Sequence, residues 1–123
     1  NLIMNISLGD LCDRLSILNL KRVRENITCD AEHAAITNTL GEYAINKEHL
    51  ERYIVDLFNV NGKIWTLESD IRNGKEGILG LEEVGRRALA IRDLNKERIR
   101  IKNELNTKFH SGFPEIKGDH ASA

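Results

Sequence analysis

Apolar side chains recur along residues 31–72 in steps that alternate between four and three: Ile36, Leu40, Tyr43, Leu50, Ile54, Leu57, Ile64 and Ile71. Lys47, Asn61 and Glu68 stand at the missing steps. This period puts every member on one face of an α-helix, whereas a strand alternates faces at every residue. The seven-residue spacing is that of a coiled-coil seam. Tyr53, Val60 and Leu67 widen the stripe. Read as one helix, 31–72 is about 63 Å long at 1.5 Å per residue. Gly41 and Gly62 each weaken such a helix by about 1 kcal/mol relative to alanine. Asn59-Val60-Asn61-Gly62 is the expected place for any break, but the stripe keeps its phase across it.

Two further helices are expected. Ser7-Leu8-Gly9-Asp10 reads as a capping box, with Ser7 accepting from a first-turn amide and Asp10 facing the positive end of the helix dipole. Leu8, Leu11, Cys12, Leu15, Ile17 and Leu18 continue from it at helical spacing, to about Asn26. Asp30 is a candidate cap for the next helix. The clearest turn is Asn73-Gly74-Lys75-Glu76-Gly77. A third stripe follows over 81–109, made of Val84, Ala88, Ile91, Leu94, Ile101 and Leu105. The expectation is an all-α fold: a long antiparallel helical hairpin with a shorter N-terminal helix packed alongside, bundle-like or coiled-coil-like. Residues 1–109 form its single domain. Residues 110–123, with Gly112, Pro114 and Gly118, read as a mobile tail.

Composition narrows the class of function. The 123 residues carry 18 Lys and Arg against 19 Asp and Glu, a formal net charge of −1, which argues against a nucleic-acid binder. No apolar run approaches the roughly 18 residues of a membrane span, and Asn1–Ile6 lacks the basic region of a signal peptide. Two cysteines make no disulfide framework, so the expected compartment is the cytoplasm. No cofactor motif is present: the four histidines are scattered and Gly74, Gly77 and Gly80 lack a strand–loop–helix setting.

A 63 Å helix far outreaches a domain whose radius of gyration is about 14 Å. Part of its stripe would stay bare in a monomer, so a homodimer burying more than about 1,000 Å² is expected. Tyr53, Leu57, Val60 and Trp65 are its candidate interface residues. Glu68 sits in phase with Ile64 and Ile71 and should point inward, where a carboxylate needs a partner. Asn95 and Arg98 are in phase with their own stripe. Together with Asp13, Arg14, Arg72 and Lys102 they form a candidate internal polar cluster, either a register lock or a small site for an anionic or polar ligand. Glu68 is expected to pair with Arg98, Asn95 or Arg14. A weaker alternative uses Asp10, Asp13, Glu48 and Glu51 to hold Mg²⁺, as in helical nucleotide pyrophosphohydrolases of the MazG type, although there the Glu-x-x-Glu element comes first in the chain.

Three segments are similar to those of a bacterial family of uncharacterised function, domain of unknown function 6165. Ser7-Leu8-Gly9-Asp10-Leu11, Asp13-Arg14-Leu15-Ser16-Ile17-Leu18 and Lys21 resemble its opening. Ile64-Trp65-Thr66-Leu67-Glu68-Ser69-Asp70-Ile71-Arg72 resembles its second motif, and Asn95, Arg98, Lys102, Glu104, Leu105 and Asn106 its third. Asp10 stands where the family has Glu, and Lys96-Glu97 where it has Asp-Arg. The resemblance covers 7–106 and implies a setting beside sugar-transfer and cell-envelope proteins, but no chemistry. The function expected from all of this is a helical interaction or oligomerisation module without catalysis of its own, with a polar-ligand binder as the alternative.

Overall fold

The computed structural model describes residues 6–42 and 47–109. The expected tail, 110–123, lies outside them. The chain is all-α, and among the described residues there is no strand. The helices are α1 (Leu8–Glu25), α2 (Asp30–Leu40), α3 (Lys47–Arg72), the single turn α4 (Glu76–Leu79) and α5 (Leu81–Lys108). Among the described residues no helix is long and apolar enough to cross a membrane.

Helix α1 starts where its sequence says it should. The Ser7 hydroxyl accepts from the Asp10 amide at 3.2 Å, satisfying one of the orphan donors of the first turn. Ser7→Ala should therefore lower stability by about 1 kcal/mol, read as a shift in the urea midpoint. The helix ends on Asn26 in the left-handed conformation, with Ile27 N–H donating back to Lys21 at 3.1 Å. Cys29, not Asp30, caps α2, and no side chain bonds its first turn. Asp30 instead lies in that turn, paired with Arg22 at 3.2 Å.

The expected 63 Å helix is two helices that run in opposite directions. Helix α2 is antiparallel to α1, with Arg22 meeting Asp30, Asn19 meeting His33 and Arg14 meeting Glu32. Helix α3 runs parallel to α1, with Asn61 against Asp13 and Thr66 against Arg24. The reversal falls after Gly41, outside the Asn59–Gly62 run. The stripe keeps phase because each helix buries its own apolar face, and a phase says nothing of direction. Gly62 serves a close approach of helices: a Cβ there would lie 3.1 Å from Arg24 Nη2 and 3.5 Å from Leu20 Cδ2.

Gly74 and Gly80, both at positive φ, turn the chain from α3 through α4 into α5. Helix α5 returns antiparallel to α3, with Glu104 beside Tyr53 and Arg87 beside Asp70. The core lies among α1, α2, α3 and the C-terminal half of α5, around Cys12, Leu18, Ile36, Leu57 and Leu105. Helix α1 is central, buried on several faces rather than along one stripe. With 18 residues against 28 in α5, it is about 15 Å shorter than the hairpin it supports. The far end of the hairpin leaves Ile78 and Leu81 open to solvent, 85% and 90% exposed.

Candidate functional site

Helices α1 and α5 meet along a seam of polar rungs. Asn106, Lys102 and Arg98 lie four residues apart and so share one face of α5. Asn106 Oδ1 accepts from the Gly9 amide at 2.7 Å. Lys102 Nζ meets Asp10 at 2.9 Å. Arg98 grips Asp13 with two nitrogens, Nε at 2.9 Å and Nη2 at 2.5 Å. Asn61 of α3 donates to the same carboxylate at 2.8 Å and to Ser16 Oγ at 2.9 Å. Ser16 in turn donates to the Asp13 carbonyl at 2.7 Å. Asp13 is buried, and this set of donors compensates for taking its charge out of water. Burial, with the charge of Asp13 beside it, pushes the Cys12 thiol up to about 12. Cys12 is thus a packed apolar group and no nucleophile.

Past Arg98 the seam opens into a cleft of about 370 Å³. Helix α3 supplies Asn61, Trp65, Glu68 and Arg72 to its lining, one side chain per turn. Lys21 and Glu25 come from α1, Asn95 and Arg98 from α5. The Arg72 guanidinium lies over the Trp65 ring, 4.5 Å from its centroid. A second groove, about 490 Å³, lies on the other side of the Asp13–Arg98 pair, between α1, α2 and α5. Its charges are closed against one another: Arg14 with Glu32 at 2.9 Å, Asp10 with Lys102, and Asp13 with Arg98. The Arg14–Glu32 bond raises the Arg14 pKa and lowers that of Glu32. A wider depression, about 640 Å³, lies on another face of α3 beside Phe58 and Leu94. Its charged members are Arg24, which already donates to Thr66 at 2.7 Å, and the exposed Lys63.

The expected polar cluster divides in three. Asp13, Arg98 and Lys102 belong to the seam. Glu68, Arg72 and Asn95 join Arg98 around the cleft. Arg14 faces α2 on the outside of the bundle. Glu68 is half-buried and pairs with none of Arg98, Asn95 or Arg14, because the carboxylate that reaches Arg98 is Asp13. Tyr53, Leu57 and Val60, read as interface residues, are buried in this chain's own core, since α3 is covered by α1 and α5. Trp65 remains half-exposed. The four carboxylates of the Mg²⁺ alternative do not converge. Asp10 and Asp13 each hold a cation, Glu48 and Glu51 are exposed on α3, and no metal-binding group of three gathers among the described residues.

Several members of the site were not named as site residues from sequence: Gly9, Ser16 and Asn106 entered only through the capping box or the family resemblance, and Glu25 not at all. Asn61 carried a signal, since it occupies a stripe step as a polar residue. Asn106 lies one turn beyond Lys102, which is also polar and in phase. No family model, curated protein or solved structure matches this chain.

Proposed function

We propose that the chain is a helical module that binds a small polar ligand in the cleft between α1, α3 and α5. One observation carries this reading. Lys21, Glu25, Glu68, Arg72 and Asn95 all line the cleft, and, apart from the stacking of Arg72 on Trp65, none of their side chains has an ion pair or hydrogen bond to another described residue. The neighbouring groove, which shares α1 and α5 with the cleft but has α2 in place of α3, closes its charges into pairs. Unspent donors and acceptors converging on one concavity are what a ligand needs for orientation. Lys21, Trp65, Glu68, Arg72, Asn95 and Arg98, which are among the residues that resemble the uncharacterised family, line the same cleft. A thermal-shift screen of nucleotides, sugar nucleotides and amino acids tests the reading. A ligand at 100 times its Kd adds about 2.7 kcal/mol of stability. Arg72→Met should abolish the shift while costing the unliganded protein only the roughly 0.5–1 kcal/mol of its contact with Trp65; a panel with no responder counts against the cleft.

A second reading, self-association, is favoured by the apolar tip of the hairpin, where Ile78 and Leu81 are bare. Light scattering at high micromolar concentration should then give a dimer that Leu81→Lys dissociates. A strict monomer rejects it.

A further inference from the structure

The charges around the cleft have an order. On α1, Lys21 precedes Glu25 by one turn; on α3, which runs parallel, Glu68 precedes Arg72 by one turn. Each wall therefore carries both signs about 6 Å apart, and the order of sign is opposite on the two walls. Glu68 and Arg72 have the spacing and polarity that favour an intrahelical pair, yet Arg72 lies over Trp65 instead. Arg98 brings no free charge, because Asp13 neutralises it. The four remaining charges sum to zero. A simple anion in this cleft is drawn by Lys21 and Arg72 and repelled by Glu25 and Glu68; a simple cation meets the converse. A molecule bearing both signs about one helical turn apart can engage the carboxylate and the guanidinium of one wall together, which neither simple ion can.

Resting on the cleft reading above, we infer that the ligand is a small zwitterion whose ammonium group is taken by Glu68 and whose carboxylate is taken by Arg72. Asn95 faces the same space with an amide free to donate and accept. Trp65 is the only tryptophan in the chain, so its emission reports on the cleft alone. Capture of a carboxylate by Arg72 changes the cation resting on that ring.

Three probes of matched length separate the possibilities: 4-aminobutyrate, butyrate and butylamine, titrated at constant ionic strength and followed by Trp65 fluorescence. 4-Aminobutyrate should bind at least about tenfold more tightly than either single-charge probe, since each lacks one charge-assisted hydrogen bond. Glu68→Gln should weaken 4-aminobutyrate by at least about tenfold and leave the denaturation midpoint unchanged, because the Glu68 side chain has no hydrogen-bond or ion-pair partner among the described residues. Equal binding of butyrate and 4-aminobutyrate, insensitive to Glu68→Gln, overturns the zwitterion and leaves the cleft as an anion site. Equal binding of butylamine does the same in favour of a cation site. If no probe perturbs Trp65 and the broader ligand panel is also silent, both the zwitterion and the cleft reading fall.

Discussion

Asp13→Ala should cost about 3–5 kcal/mol of stability, the largest loss expected from any single polar substitution in this chain. The change strands the Arg98 guanidinium and the Asn61 amide, both of which now donate to the Asp13 carboxylate. Arg98 is itself about a quarter exposed, so it can recover some hydration, which places the expected value toward the lower end. Asn61 cannot recover in the same way, being buried. Asp13→Asn keeps the shape and one acceptor oxygen and should cost clearly less. Urea unfolding with an unchanged m-value measures both. A loss below about 1 kcal/mol for the alanine variant would show that the rung is not closed in solution.

Gly9→Ala should destabilise by about 2–3 kcal/mol, although alanine is ordinarily the better helix former. A Cβ at position 9 would lie 2.8 Å from the Lys102 carbonyl oxygen and 2.9 Å from Asn106 Oδ1. The carbonyl belongs to the backbone of α5 and cannot swing aside. Overpacking of this kind costs about 1–3 kcal/mol. Separating α1 from α5 also stretches the buried Gly9–Asn106 hydrogen bond, for about 1–3 kcal/mol more. Against this, removing glycine from a helix returns about 1 kcal/mol. The steric and hydrogen-bond losses win. Gly41→Ala is the control: a Cβ there meets nothing within 4 Å, so it should be neutral or slightly stabilising. A Gly9→Ala midpoint at or above the parent value would contradict the close approach of the two helices.

The helical nature of the chain, the Ser7 cap, the turn around Gly74 and the extent of α5 were legible from local chemistry, because each depends on residues within a turn or two. Direction was not. Helices α2 and α3 share a phase but run oppositely, and the stripe is silent on that. The choice of buried carboxylate failed for a related reason. Phase shows which side of a helix faces inward when one side does, and by that rule Glu68 was the candidate while Asp13 stood beside the α1 stripe. Helix α1 is enclosed by α2, α3 and α5, so Asp13 and Ser16 are buried as fully as Leu15. The cluster was partly recognisable nonetheless. Arg98, Lys102, Glu68 and Asn95 stand as polar residues in apolar phase, with Arg72 next to the stripe, and all five line the seam or the cleft.

The account rests on the cleft between α1, α3 and α5 receiving the ligand, and the ¹H–¹⁵N indole resonance of Trp65 tests this most directly. Trp65 gives one such signal, in the wall of the cleft and under Arg72. Titration with any ligand that raises the unfolding midpoint should move this resonance saturably, with the same Kd as the thermal shift, and the shift should vanish in Arg72→Met. A ligand that stabilises the fold while the Trp65 indole resonance stays in place, and shifts amides of α2 instead, would put the site elsewhere and contradict the account.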